Sequence, residues 1–205
     1  MIQAQFDPRS LFRIGYGLYV LTTRDGEKDN GCIVNTVMQV TSSPCLVAVT
    51  VSRANYSCAV VSRTGKLNIN CLTKDTPFSI FSRFGFQSGR DTDKFDSFEK
   101  DRSGNGLVVL KEHVSAFISL SVEREIDLGS HIMFICTPVE GRVISDEETV
   151  SYTYYQKNIK PSPENTEKKK GFICEICGYI YEGETLPDDY ICPWCQHGKE
   201  VFRPL

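Results

Sequence analysis

The sequence lacks most of what marks a membrane, secreted or nucleic-acid-binding chain. No apolar run approaches the ~20 residues that a spanning helix needs, which argues against a membrane protein. Residues 1–20 carry charges and turn formers in place of an apolar signal core, so no secretion signal is expected and the cytoplasm is the expected compartment. The formal net charge is only −3, too small to draw the chain to nucleic acid or to a membrane surface. What is left is a globular composition, 40% hydrophobic and 24% charged. The 205 residues suit one ordinary domain plus a small one.

Composition also places the division. Residues 156–170 read QKNIKPSPENTEKKK, with two prolines, no aromatic and one aliphatic residue, the character of an exposed linker. Residues 1–155 carry 16 basic and 18 acidic side chains, the linker has net charge +3, and residues 171–205 have net charge −4. The expected organisation is therefore a domain at 1–155, a linker at 156–170 and a small domain at 171–205.

The first domain reads as mainly β. Segments 17–23, 31–40, 45–52, 66–72, 107–111, 114–125 and 131–145 are rich in β-branched and aromatic residues. Apolar residues on both sides of the run at 45–52 predict a strand covered on both faces. Asp7-Pro8 can start a short helix, and residues 55–64 and 76–84 read as further short helices. So many strands with so few helices suggest a closed or split β-barrel.

Of the nine cysteines, Cys32, Cys45, Cys58, Cys71 and Cys136 are scattered, and an odd, scattered set is read as small buried hydrophobes, not a disulfide framework. The other four, Cys174, Cys177, Cys192 and Cys195, form two C-x-x-C pairs 14 residues apart. Each such turn puts two sulfurs on one side of a tight loop, and two facing loops make a tetrahedral four-thiolate site. Gly178 follows the first pair where the turn needs a residue tolerant of positive φ, and Pro193 stiffens the second. Tyr179, Tyr181, Trp194 and Phe202 are candidates for a tiny core. So few residues cannot bury enough surface to fold unaided, so metal binding supplies folding energy. Four sulfurs alone leave iron and zinc both open, and a structural zinc ribbon is the alternative. The strings CEICGYIYEG from Cys174 and LPDDYICPWC ending at Cys195 resemble the two knuckles of rubredoxin. That resemblance implies one iron held by the four cysteines and cycling by single electrons. The gap between the pairs is shorter than in free-standing rubredoxins, and Gln196 stands where many rubredoxins have glycine.

Three stretches of the first domain carry polar residues suited to a ligand. Asn30–Pro44 sets Asn35, Thr36 and Gln39 among apolar residues. In Val51–Ser57 a strand ends in Ser52, Arg53, Asn55, Tyr56 and Ser57 as a helix begins, and helix starts attract phosphate. Phe84–Phe95 is a loop with two glycines, Arg90 and Lys94. Each reads equally as a wet strand face, an ordinary cap or a solvated loop. Taken in order they resemble the flavin reductase family, the split-barrel FMN-binding proteins. By that resemblance Asn35, Thr36 and Val37 match the strand along the isoalloxazine ring, with Gln39 two residues on. Ser52, Asn55, Tyr56 and Ser57 match the turn that receives the FMN phosphate, with the charge of Arg53 beside it. The S-G-R-D-x-D-K-F segment with Arg90 matches a loop of relatives that work with rubredoxin. Ser130-His131 resembles the family's Asp-His pair, with Ser130 in the place of the Asp, making His131 the candidate catalytic residue.

The combined resemblance implies an NADH- or NADPH-dependent flavoprotein that passes electrons through FMN to the iron and on to an external acceptor. The implied acceptor is a flavodiiron protein that reduces nitric oxide or oxygen, and the implied assembly is a homodimer. The alternatives are a free-flavin reductase and a non-redox binding protein with a zinc ribbon.

Overall fold

The computed structural model describes residues 6–161, 171–175, 178–192 and 198–205. A short 3-10 helix, Pro8–Arg13, opens the chain, its first turn closed by the Ser10 N–H and hydroxyl donating to the Asp7 carbonyl. Strands β1 (Tyr19–Asp25), β2 (Lys28–Val34), β3 (Val37–Ser42) and β4 (Cys45–Ser52) follow. Helix α1 (Tyr56–Thr64), β5 (Lys66–Leu72) and helix α2 (Phe78–Gly85) come next. A long loop then leads to β6 (Lys100–Arg102) and β7 (Val108–Leu110), before the long hairpin β8 (Val114–Asp127) and β9 (His131–Val143). A helical turn, Tyr152–Tyr154, runs into a π-helical turn, Tyr155–Ile159. Three short strands, β10 (Phe172–Cys174), β11 (Ile180–Tyr181) and β12 (Phe202–Pro204), form the C-terminal lobe. No helix of the described residues is long and apolar enough to cross a membrane.

Seven strands form one antiparallel sheet in the order β2-β1-β5-β8-β9-β4-β3. Its two edge strands, β2 and β3, are consecutive in sequence and joined only by Asn35 and Thr36. Two residues cannot cross the width of a flat seven-stranded sheet, so the sheet curls until its edges meet without pairing. That is a split barrel. The sequence predicts one strand over 31–40; the structure breaks it at Asn35–Thr36, because β2 pairs with β1 and β3 pairs with β4.

Alternation along the strands feeds two cores. Leu21, Val49, Leu67, Ile69 and Phe134 fill the barrel, with Cys58 and Val61 of α1 packed on the same cluster. Val20, Leu72, Val108, Leu110 and Tyr155 build a second core outside the sheet, with Phe81 and Phe84, three apart on α2, on one side of it. Between the cores Asn68 and Asn70, both fully buried, bond to backbone: Asn68 Nδ2 donates to the Val108 carbonyl, and Asn70 Nδ2 to the Val20 carbonyl. Strand β4 is covered on both sides, with Val47, Ala48 and Val49 all buried. Of the five scattered cysteines, Cys32, Cys58 and Cys136 are buried and Cys71 is half-buried, all four beside the barrel core. Cys45 departs from the expectation, because it lies exposed at the start of β4 where the hairpin from β3 turns at the sheet edge.

Candidate functional site

Helix α1 begins where β4 ends, and its start faces a cavity of about 620 Å3. Asn55 holds the N-cap position with extended backbone (φ −70°, ψ 127°) but makes no side-chain cap bond. A helix start with no side-chain cap, lining a cavity, is an arrangement that favours an anion. The opposite wall is the loop after α2, from Gly85 to Lys94.

Two features lock that loop in place. Gly89 is buried against β2: a Cβ there would lie 1.9 Å from Asn30 Oδ1, so only glycine fits so close. Asn30 in turn donates from Nδ2 to Ser57 Oγ at 3.0 Å, and Lys28 Nζ donates to the Gly89 carbonyl at 2.7 Å. Loop, strand β2 and helix α1 are thus one framework around the cavity. Lys94 completes it. Its residue is 3% exposed, and Nζ donates to the carbonyls of Gly31 (2.9 Å) and Phe84 (3.3 Å). Burial lowers the Lys94 pKa, opposed by the nearby Cys32. A cation buried among neutral carbonyls gains from a neighbouring anion. Arg90 lies with its guanidinium 5.3 Å from the centroid of the Tyr56 ring, and Tyr56 is anchored through its hydroxyl to Asp25, which also pairs with Arg63. The hydrogen bond to Asp25 raises the Tyr56 pKa.

The structure thus brings Ser52, Asn55, Tyr56, Ser57 and Arg90 together at one cavity. Arg53 turns away from it: its guanidinium pairs with Asp127 at 2.7 Å and donates to the Gly129 carbonyl. Asn35 and Thr36 form the corner between β2 and β3, where the Thr36 carbonyl accepts from the Thr50 N–H, two residues before Ser52. Val37 pairs with Val49. Gln39 is exposed further along the hairpin and bonds to the Thr41 carbonyl. His131 pairs across the sheet with Ser52 and is exposed, with Ser130 Oγ 2.8 Å from its Nδ1. In sequence Lys94 reads as part of a solvated loop, and Phe86, Ser88 and Thr92, which also line the cavity, carry no local signal of it. The signal for burial was Phe95, an apolar anchor directly after Lys94 that packs on Phe84 at 5.2 Å between ring centroids.

In the C-terminal lobe Cys174 and Cys192 are both fully buried and share a cluster with Phe202. Tyr179, Tyr181, Tyr190 and Phe172 pack round it. Gly178 has φ +84°, and its N–H donates to the Cys174 carbonyl at 2.8 Å, closing the first knuckle. Cys177, Cys195, Pro193, Trp194 and Gln196 lie outside the described residues. Two buried thiols remote in sequence, brought together over a minimal core, fit a thiolate-held metal.

Comparison with known proteins gives the same two parts. The model of the flavin reductase like domain matches residues 11–163, and that of the rubrerythrin, rubredoxin-like domain matches residues 172–203. The high molecular weight rubredoxin of Moorella thermoacetica is 32% identical over 97% of this chain and all of its own. The ferric-chelate reductase (NAD(P)H) of Archaeoglobus fulgidus is 32% identical over 73% of this chain and 88% of its own. Among solved structures, the FMN-binding protein of Thermus thermophilus superposes with a TM-score of 0.60 at 19% identity, covering 70% of this chain and 80% of that one, a likeness of fold. The chain belongs to the flavin reductase-like family, and it is an oxidoreductase with a flavin-binding split barrel and a C-terminal rubredoxin-like iron domain for electron transfer.

Proposed function

We propose that the protein takes electrons from NADH or NADPH, receives them on FMN in the barrel, and passes them through the C-terminal iron to a separate redox protein. The observation that carries this reading is the cavity between the start of α1 and the Gly85–Lys94 loop, which holds phosphate-binding chemistry in a flavin reductase-like barrel. FMN, when bound, exchanges two electrons with a nicotinamide and single electrons with iron.

The chain's own residues bind, orient and shield. Asn55, the start of α1, Arg90 and buried Lys94 receive the phosphate, with Ser57 held behind them by Asn30. Asn35, Thr36 and Val37 continue the site along the strand toward the ring. His131, paired with Ser52 across the sheet and with its Nδ1 beside Ser130 Oγ, is the proposed catalytic residue beside the open face of the flavin. Cys174, Cys177, Cys192 and Cys195 hold one iron. NAD(P)H as donor is supported by the ferric-chelate reductase relative, whose name includes it. A flavodiiron protein reducing nitric oxide or oxygen is the proposed acceptor, from the resemblance to flavin reductase–rubredoxin fusions.

The functional units are a barrel at 1–155, a tether at 156–170 and an iron domain at 171–205. The start of the tether is helical to Ile159, which packs on the second core. The protein works as a homodimer, supported by exposed Met38 and Val40 on edge strand β3 and exposed Val139 and Val143 on the outer half of β9. It works in the cytoplasm, whose thiol pool suits the five unpaired barrel cysteines.

Stopped-flow mixing with NADH or NADPH tests the order. Flavin absorbance should bleach first and iron absorbance second, with no iron bleaching in protein stripped of flavin. Equal iron reduction in flavin-free protein refutes the reading.

A further inference from the structure

One side chain touches both functional parts. Phe86 follows α2 and lines the cavity beside α1. It also packs against the buried cluster of Cys174, Cys192 and Phe202 in the C-terminal lobe. Its ring lies 6.0 Å from that of Phe78, which packs on the second barrel core. A second contact fixes the other side of the first knuckle. The Cα of Gly178 approaches the end of the π-helical turn so closely that a Cβ there would lie 3.4 Å from the Pro161 carbonyl oxygen and 3.8 Å from Lys160 Cε. That turn is itself anchored, since Tyr155 and Ile159 belong to the second core. Both footholds of the lobe are therefore tied to the second core of the barrel.

We infer that the C-terminal lobe docks on its own barrel at the mouth of the flavin cavity, with Phe86 as the positioning residue that holds the cysteine cluster there. The occupant of this surface is the lobe of the same chain. This rests on the proposed function and narrows it, because it makes the exchange between the two centres an event within one chain. An aromatic ring suits the contact: it buries a large area with few rotatable bonds, and it excludes water from the gap. The tether raises the local concentration of the lobe, and Phe86 selects one pose from the many that the tether permits. Exchange across the contact is outer-sphere. With both groups bound, the flavin would give up one electron and a ferric centre would take it, with no bond formed or broken.

The test uses full-length protein with zinc in the lobe, so that the readout does not depend on turnover. Nuclear spin relaxation of backbone amides reports the rotational correlation time of each part. In the parent, amides of residues 172–175 and 178–192 should share the correlation time of the barrel. Phe86→Ala should shorten the lobe's correlation time at least twofold with the barrel spectrum retained, and Phe86→Leu should keep most of the coupling. Independent tumbling of the lobe in the parent, or no change in Phe86→Ala, overturns the inference. In the FMN- and iron-loaded protein, Phe86→Ala should slow iron bleaching after flavin reduction at least tenfold, and Phe86→Leu should restore most of it; an unchanged rate overturns the positioning role. A docked lobe whose iron is never reduced by the flavin would leave the docking standing and sink the proposed function instead.

Discussion

Replacing Asp29 by Asn probes how the far end of the cavity loop is tied to the barrel. Asp29 lies on β2 with a side chain only 6% exposed. Arg102 of β6 meets it with two bonds, at 3.0 and 2.9 Å, and Lys100 Nζ lies at 3.0 Å. Arg24 Nε is 3.7 Å away. Strand β6 ends the segment that begins with the cavity loop, so this carboxylate pins that segment 73 residues away in sequence. A hydrogen bond to a charged group contributes roughly 1.5–3 kcal/mol in place. The cations are 30–40% exposed, so water replaces part of what they lose, and Asn keeps one acceptor oxygen. The net loss should be about 2–3 kcal/mol. At roughly 2–4 °C per kcal/mol for a chain of this size, Tm should fall by about 4–12 °C. Burial alone would raise the Asp29 pKa, but Arg102 and Lys100 overcome it and hold the group below the ordinary carboxylate range. Its contribution is therefore fully present above the unfolded value of about 4 and is lost as pH falls through the lower folded value. Urea titrations of both proteins should show a constant gap from about pH 5 to 8 that closes on acidification below about pH 4. A Tm within a degree of the parent, or a gap that widens in acid, refutes the reasoning.

Asn55 makes no cap bond, so Asn55→Ala should leave Tm nearly unchanged while FMN affinity falls by about 1–2 kcal/mol, roughly 5- to 30-fold; an unchanged Kd by fluorescence titration would mean that Asn55 does not touch the phosphate. Cys174→Ser should abolish iron binding and unfold the region 171–205 while flavin stays bound, read by metal analysis and the visible spectrum; iron retained at full occupancy would remove Cys174 from the ligand set. Sedimentation should show a dimer, and Met38→Glu with Val139→Glu should shift it to monomer by placing charge on the exposed apolar strands. A parent that sediments as a monomer across concentrations would sink the dimer.

The metal knuckle was the most legible part of the chain, because its information is local. Two cysteines three apart and a glycine one step on determine the turn, and Gly178 takes the positive φ that the pattern demands. The strands were legible by alternation, and the family by the order of its motifs. Contacts between residues remote in sequence decided the rest. Nothing local in Asn35-Thr36 says that the chain jumps there from one sheet edge to the other; strand pairing decides it. Arg53, beside a helix start, reads as the better phosphate cation than the loop residue Arg90, yet only Arg90 lines the cavity, because Asp127 at the end of β8 claims Arg53. Lys94 reads as a loop lysine until Phe95 and α2 bury it. Phe86 reads as one more apolar residue until the C-terminal lobe packs on it. Sequence by itself determined the elements and the chemistry available at each turn, since these depend on neighbours a few residues away. Which of those groups converge on one cavity depends on how the curled sheet brings distant segments together, and only the tertiary structure decided that.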